Sequence, residues 1–161
     1  RVDKFVGEAS QFDSPSESCP EIQGQSYPEK TLETDAKEEN LPSVISFITD
    51  FLEERDCSPK AMMQLELCVE ELFVNIAKYA YADKNGKARI DISEKDGIAE
   101  ISFTDSGMPY DPLAREDPDV TLSSEERSIG GLGIFLVKKN TDSVSYKYEN
   151  GCNILTITKS I

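Results

Sequence analysis

Histidine is absent from the 161 residues of this chain. Without an imidazole, no side chain can become phosphohistidine, and neither a Ser-His nor a Cys-His catalytic pair can form. Basic residues are also scarce, because 17 Lys and Arg stand against 31 Asp and Glu and leave a formal net charge of −14. This balance argues against nucleic acid, whose binding needs clustered Lys and Arg, and against anionic membrane surfaces.

Long apolar runs and paired cysteines are missing as well. No stretch approaches the roughly 20 apolar residues of a membrane helix, and no signal peptide is recognisable. The four cysteines are scattered without a C-x-x-C pair, which argues against both disulfides and a zinc site and favours reduced thiols. We therefore expect a cytoplasmic domain, long enough to hold one full hydrophobic core.

The chain divides into a polar N-terminal segment and one folded domain. Residues 1–27 are rich in Ser, Pro, Glu and Gln without a sustained period, which predicts a disordered tail or linker. Over residues 28–161 the pattern predicts a strand, two helices, two strands, a polar loop at 112–129, a helix and two strands. Antiparallel hairpins with helices on one face indicate an α+β, two-layer sandwich built on a mixed, mostly antiparallel sheet.

The second predicted helix carries the first group of candidate site residues. Its start is marked by Ser58, an N-cap residue followed by proline, and its apolar period continues to about residue 81. Glu71, Asn75 and Lys78 share one narrow arc of this helix, away from the apolar stripe. The Asn75 carbonyl suits magnesium, Glu71 can accept a proton, and Lys78 can meet phosphate charge. An ordinary solvated helix face would carry the same residues.

The segment Asp105-Ser106-Gly107 follows at the end of a predicted strand. A buried carboxylate at this place can accept a hydrogen bond from the exocyclic amine of adenine. Gly107 lets the backbone approach a flat base, because it has no Cβ. An ordinary Asx turn is the alternative reading of the same three residues.

A glycine-rich segment, Gly130-Gly131-Leu132-Gly133, opens the third predicted helix. Free N–H groups at a helix start bind phosphate oxygens, and glycine leaves them accessible. The segment matches neither a P-loop nor a dinucleotide-binding fingerprint. A plain loop before a buried helix remains the alternative.

Taken in order, these segments resemble the motifs of the GHKL superfamily of ATP-binding domains, which includes gyrase, heat-shock chaperone, histidine kinase and mismatch-repair ATPases. The residues that carry the resemblance are Glu71-x-x-x-Asn75 for the N box, Asp105-x-Gly107-x-Pro109 for the first glycine box and Gly131-x-Gly133 for the second. The resemblance covers residues 30–161. It implies the GHKL (Bergerat) ATP-binding fold, with ATP and Mg²⁺ as cofactors.

Within that superfamily the chain is most similar to bacterial anti-sigma-factor serine kinases. Their D-x-G-x-P-(aromatic)-D-P segment, short polar lid, G-G-L-G-(apolar) segment and closing G-x-N-x-L-x-(apolar)-x-K pattern are matched at 105–112, 130–134 and 151–159. One departure concerns the positions after the N box, where the family often has His-Gly and this chain has Tyr79-Ala80.

The resemblance implies a role for each candidate residue. Glu71 is expected to be the catalytic base, Asn75 the magnesium ligand and Asp105 the residue that recognises adenine. Arg127, in the lid beside the glycine loop, can contact the terminal phosphate, and an ordinary exposed arginine is the alternative reading. The implied nucleotide-binding set is Asn75, Lys78, Asp105, Gly107, Pro109, Arg127, Gly130, Gly131, Leu132 and Gly133.

Among the activities of the superfamily, the absence of histidine excludes a self-contained histidine kinase. The short lid also differs from that of gyrase-like and chaperone-like ATPases. The favoured function is therefore an anti-sigma factor and ATP-dependent serine/threonine protein kinase, whose substrate is a partner of the anti-anti-sigma type. The acidic surface suits a sigma factor as a second partner. The alternative is a non-catalytic nucleotide-binding regulatory module within a longer signalling protein. The edge strand near Thr31 predicts a homodimer.

Overall fold

The computed structural model describes residues 28–82, 85–114 and 132–161. The predicted tail at 1–27 and most of the predicted polar loop lie outside the described residues. The elements, in chain order, are β1 (Lys30–Asp35), α1 (Leu41–Glu53), α2 (Pro59–Asn75), β2 (Lys87–Lys95), β3 (Ile98–Asp105), α3 (Leu132–Asn140), β4 (Ser143–Glu149) and β5 (Cys152–Ser160). Short 3₁₀ turns occupy Glu38–Asn40 and Pro112–Ala114.

The five strands form one sheet in the order β1-β2-β3-β5-β4. Strand β5 is therefore inserted between β3 and β4, although it follows both along the chain. Every pairing in the described part of the chain is antiparallel. The predicted α+β sandwich is confirmed, and the parallel pairing that would make the sheet mixed does not occur among the described strands.

One face of the sheet is apolar and the other is polar. Ile90 lies opposite Phe103, which in turn lies opposite Leu155, so the three side chains share the apolar face. On the other face Ser102 lies opposite Thr156, and their hydroxyls are 2.8 Å apart. The apolar face packs against buried residues of all three helices, namely Val44, Ile48, Phe51, Leu52, Leu65, Val69, Leu72, Phe73, Ile134 and Val137.

The start of α2 follows local sequence signals. The Ser58 hydroxyl accepts a hydrogen bond from the backbone N–H of Ala61 at 3.3 Å, and Pro59 stands in the first turn, where no N–H partner is needed. The helix does not end at Asn75 but continues as a wider π-helical segment over Ile76–Ala80. Among the described helices, none combines the length and the apolar character that a membrane crossing requires.

The cysteines depart from the sequence prediction in one respect. Cys57 and Cys68 are free thiols, as expected, but Cys152 is disulfide-bonded. The expectation that disulfides are absent is therefore wrong. Spacing along the chain could not reveal the bond, because disulfide formation depends on the approach of two Cα atoms in space.

Candidate functional site

The first part of the site lies where α2 and α3 meet. Glu71 and Asn75 are one turn apart on α2, and Gly133 is the second residue of α3. A Cβ atom at position 133 would lie 2.7 Å from Oε2 of Glu71 and 3.9 Å from Nδ2 of Asn75. The absence of a side chain at Gly133 therefore allows the start of α3 to approach the acid and the amide of α2. Two neighbouring residues of α2 are thus brought together with a residue of α3 that is distant from them in sequence.

This junction is suited to anionic ligands. The first turn of a helix carries unpaired N–H groups and the positive end of the helix dipole. Helix α3 begins at Leu132, whose side chain is exposed, and its positive end lies beside the Asn75 amide. Phosphate oxygens are favoured at such a place. Of the predicted glycine loop, Gly130 and Gly131 lie outside the described residues, as does Arg127.

Lys78 belongs to the π-helical segment, and its ammonium lies 4.0 Å from a carboxylate oxygen of Glu38. A π-helix has more residues per turn than an α-helix, so the angular spacing assumed for the shared arc does not extend to Lys78. Glu71 and Asn75 both precede this segment and keep the predicted spacing. The described contacts direct Lys78 toward the turn before α1.

The second part of the site is the carboxylate of Asp105, the last residue of β3. The side chain is buried, with only 7% of its residue surface exposed. Its Oδ1 accepts hydrogen bonds from the backbone N–H of Gly107 and from Nδ2 of Asn153, both at 2.9 Å. Burial raises the pKa of Asp105, and the two hydrogen bonds oppose that rise. No donor from residues 28–82, 85–114 or 132–161 contacts Oδ2, so one buried acceptor is left for a ligand.

Gly107 holds the Asp105 turn directly against the end of α2. A Cβ at this position would clash with the carbonyl oxygen of Ala80, and the backbone N–H of Met108 donates to the same oxygen at 3.0 Å. Glycine is therefore required here by close packing against Ala80, whereas the sequence analysis explained it by the approach of a flat base. Pro109 follows on the exposed side of the turn.

Tyr81 makes a second contact between the end of α2 and the turn after Asp105, and the sequence analysis did not identify it. Its hydroxyl accepts a hydrogen bond from the N–H of Ser106 at 2.8 Å and donates to the carbonyl of Lys87. Its ring lies against Gly86, where a Cβ would clash with the ring carbons. The only sequence signal was an aromatic residue at a predicted helix end, which is too common to indicate a role.

Asn153 was also missed as a site residue, although it stands in the matched closing pattern. It lies in β5 directly opposite Asp105, on the helix-covered face of the sheet, and is 8% exposed. Its Nδ2 donates to Oδ1 of Asp105 and to the carbonyl of Met108, each at 2.9 Å. Its Oδ1 accepts from the N–H of Tyr110 at 3.1 Å and from the hydroxyl of Tyr146. The register of β3 with β5 is the signal that would have identified it.

These groups fit a nucleotide with magnesium. Asp105 offers a buried acceptor of the kind that an exocyclic amine needs, and Gly107 holds the turn after it against the end of α2. Asn75 offers the neutral oxygen that Mg²⁺ accepts alongside phosphate oxygens and waters. The start of α3 beside it favours phosphate.

Comparison with known proteins agrees with this geometry. Residues 34–159 match the histidine kinase-like ATPase domain family, and the chain belongs to that family. It is 26% identical over 136 residues to the serine-protein kinase RsbW of Listeria monocytogenes, an alignment that covers 81% of this chain and 86% of the relative. It is 29% identical over 103 residues to the serine/threonine-protein kinase BtrW of Bordetella bronchiseptica, with 63% and 72% covered.

A solved structure supports the fold as well. The crystal structure of the RsbU and RsbW domains of a Mycobacterium tuberculosis protein superposes with a TM-score of 0.56 at 14% identity. The superposition covers 82% of this chain and 32% of that longer chain. The family match and the two aligned relatives confirm the predicted resemblance to GHKL domains and to their serine-kinase branch.

Proposed function

We propose that this chain is an anti-sigma factor and an ATP-dependent protein serine/threonine kinase. Its substrate would be a hydroxyl group on a separate protein of the anti-anti-sigma type. Membership of the histidine kinase-like ATPase domain family supports the use of ATP, and the aligned relatives are serine kinases. The observation that carries the proposal is the junction of Glu71, Asn75 and Gly133, because it combines a proton acceptor, a metal ligand and a phosphate-binding helix start.

The nucleotide is oriented at its base end by Asp105. The free Oδ2 accepts a hydrogen bond from the adenine amine, while Gly107 and the end of α2 hold the turn in place. ATP would supply the phosphoryl group, and Mg²⁺, held by the side-chain oxygen of Asn75, would neutralise phosphate charge. Catalysis of this type depends mainly on positioning and electrostatic stabilisation.

Glu71 acts on the accepting hydroxyl. As the hydroxyl oxygen forms a bond to the γ-phosphorus, the bond from that phosphorus to the β–γ bridging oxygen breaks and ADP leaves. The hydroxyl proton passes to the Glu71 carboxylate, which is partly exposed and lies beside the start of α3. A neighbouring carboxylate, Glu70, is exposed on the same helix and has no such neighbour in the described contacts. Glu71, the proposed base, therefore differs from the surface carboxylate of Glu70 in lying beside the start of α3.

Lys78 is proposed as a phosphate ligand that exchanges partners. Its pairing with Glu38 spans 4.0 Å, and both side chains are about half exposed. Exposed pairs of this kind stabilise proteins by roughly 0–1 kcal/mol, so phosphate competes readily for the ammonium. The proposed phosphate-binding set is completed by Arg127, Gly130 and Gly131.

The partners follow from surface charge and from the sheet edge. A net charge of −14 favours association with a basic surface on a sigma factor, which would place the protein in the cytoplasm.

Strand β1 pairs with β2 on one side only among the described strands, so its outer edge offers backbone groups to a second copy. We propose a homodimer formed there, and a sedimentation coefficient of a monomer at micromolar concentration would exclude it.

Two measurements test the kinase. Titration calorimetry with ATP and Mg²⁺ measures binding, and transfer of labelled γ-phosphate to a serine-bearing partner that co-purifies with the chain measures activity. Glu71→Ala should lower transfer by about 10²–10⁴-fold and leave the nucleotide Kd nearly unchanged. Asn75→Ala should impair both, because it removes the metal ligand. Glu70→Ala is the matched control and should behave as wild type.

Each contrary result has a distinct meaning. Transfer at the normal rate in Glu71→Ala would refute the proposed base. Nucleotide binding without transfer in the wild-type chain would favour the non-catalytic regulatory module. A correctly folded sample that gives no heat with saturating ATP and Mg²⁺ would refute the nucleotide site itself.

A further inference from the structure

Asn153 connects three segments around the free acceptor of Asp105. It lies opposite Asp105 in the sheet, and it also contacts the backbone at 108 and 110 and the hydroxyl of Tyr146 in β4. We propose that Asn153 is a positioning residue that sets the base specificity of the nucleotide site. This inference rests on the proposed function, because it concerns how that site distinguishes one purine from another.

The hydrogen-bonding capacity of the Asn153 amide is fully used. Its two N–H groups donate to Oδ1 of Asp105 and to the carbonyl of Met108, with a longer contact of 3.5 Å to the carbonyl of Gly107. Its oxygen accepts from the N–H of Tyr110 and from the hydroxyl of Tyr146. A side-chain amide offers two donors and two acceptor lone pairs, so none is left over.

The orientation of this amide follows from the chemistry of its neighbours. The backbone N–H of Tyr110 can only donate, so it must face the amide oxygen of Asn153. The amide nitrogen then points toward Asp105 and the carbonyl of Met108, which are acceptors. A flipped amide would place donor against donor at the N–H of Tyr110 and acceptor against acceptor at Asp105 and the carbonyl of Met108.

The fixed amide of Asn153 leaves Asp105 with one carboxylate oxygen, Oδ2, that can accept a hydrogen bond from a ligand. Its Oδ1 is saturated by Asn153 and by the N–H of Gly107, so only Oδ2 faces the ligand. An exocyclic 6-amino group can donate to Oδ2, whereas a 6-oxo group would bring a second acceptor against it. Asn153 has no remaining donor with which to satisfy a 6-oxo group. An analogue that leaves a buried polar group of the site without a hydrogen-bond partner binds much more weakly than the proper ligand.

Tyr146 supports this arrangement from the adjacent strand. Burial is the largest cause that raises the pKa of its hydroxyl, so the group remains protonated and able to donate at neutral pH. Replacing Tyr146 by Phe would remove one of the two donors that hold the amide oxygen, while the N–H of Tyr110 would remain. The Tyr146 variant should therefore weaken the orientation of Asn153 without abolishing it.

The test compares ATP with inosine triphosphate, which carries a 6-oxo group in place of the 6-amino group. The Kd of each nucleotide with Mg²⁺ is measured for the full chain and for Asn153→Ala, Tyr146→Phe and Thr156→Ala. Thr156 is the matched control, because it lies on the same strand but on the opposite face, against Ser102. We expect the wild type to prefer ATP by at least about tenfold, which is the effect of one hydrogen bond to a charged group.

The expected result is a change in the ratio of the two Kd values. Asn153→Ala should bring this ratio close to one, Tyr146→Phe should reduce it several-fold, and Thr156→Ala should leave it unchanged. Equal losses of affinity for both nucleotides, with the ratio preserved in both Asn153→Ala and Tyr146→Phe, would overturn the inference and leave Asn153 a purely structural role. If Asn153→Ala does not fold, the ratio in Tyr146→Phe decides. A wild-type chain that binds neither nucleotide would instead refute the proposed function.

Discussion

At the scale of single residues, the buried carboxylate of Asp105 is expected to lower the stability of the fold. A carboxylate that is 7% exposed loses most of its hydration, and the hydrogen bonds that it receives from the described residues reach only one of its oxygens. Burial is accordingly the largest influence on its pKa and raises it above the usual value of 3.8. A group of this kind costs free energy in the unliganded protein, as functional sites often do.

The substitution Asp105→Asn tests this cost. An asparagine oxygen can still accept from Gly107 and Asn153, while the buried charge is removed, so the melting temperature at pH 7 should rise and ATP binding should be lost. Each 1 kcal/mol corresponds to roughly 2–4 °C for a chain of this size. The measurement is thermal unfolding over a pH series, together with calorimetry for nucleotide binding.

The sign of the pH dependence follows from the raised pKa. The folded chain holds the Asp105 proton more tightly than the unfolded chain, so this group favours folding most at low pH and less as pH rises through its folded pKa. The melting temperature of Asp105→Asn should therefore increase relative to that of wild type as pH rises from about 4 through the raised pKa of Asp105. Glu100→Gln, an exposed change on the same strand, is the control. A margin that narrows over this range would contradict the account.

At the scale of elements, the π-helical end of α2 joins the two parts of the site. The carbonyl of Ala80 accepts from Met108 and packs against Gly107, and Tyr81 bonds to Ser106. The helix that carries Asn75 is thus held to the turn that carries Asp105 within a few residues. The π-helix is uncommon in general and often occurs at functional sites.

Tyr81→Phe should weaken the contact between the end of α2 and the turn after Asp105. The ring against Gly86 would remain, but the N–H of Ser106 would lose its acceptor and the carbonyl of Lys87 its donor. We expect a stability loss of about 1–2 kcal/mol and a several-fold increase in the Kd for ATP. Tyr79→Phe is the matched control, because that tyrosine is two residues away and 64% exposed. Equal behaviour of the two variants in urea unfolding and calorimetry would rule out a role for the Tyr81 hydroxyl.

The same elements show what the sequence could and could not predict. The start of α2 was predictable, because Ser58 and Pro59 act through neighbouring backbone groups. The π-helical segment was not, because a period of 3.6 was assumed throughout, and this assumption affected the placement of Lys78. The contact of Asp105 with Asn153 depends on the register of two strands far apart in the chain. No local pattern carries that information.

At the scale of the whole molecule, the site is assembled from segments that are distant in sequence. Asn75 lies on α2, Gly133 on α3, and Asp105 at the end of a central strand, with the sheet and helices packed as one hydrophobic core. A ligand that contacts all three binds the folded chain and not the unfolded one. It must therefore stabilise the fold by mass action.

Saturation with nucleotide should be visible in thermal unfolding. At a ligand concentration of 100 Kd, ATP with Mg²⁺ should add about 2.7 kcal/mol, which raises the melting temperature by about 5–10 °C. Chelation of the metal by EDTA should remove most of this increase, because phosphate oxygens and Asn75 then lose their common ion. Asn75→Ala should show little effect of EDTA. An increase that survives chelation unchanged in the wild type would argue against the metal ligand.

The insertion of β5 between β3 and β4 has a consequence for a chain still emerging from the ribosome. Until β5 is synthesised, β3 keeps an open edge, β4 has no neighbour, and the carboxylate of Asp105 lacks its amide partner. A nascent chain therefore lacks the hydrogen bond from Asn153 to Asp105 while most of its helices already exist. The nucleotide site proposed for this chain would be complete only after the final hairpin has closed the centre of the sheet.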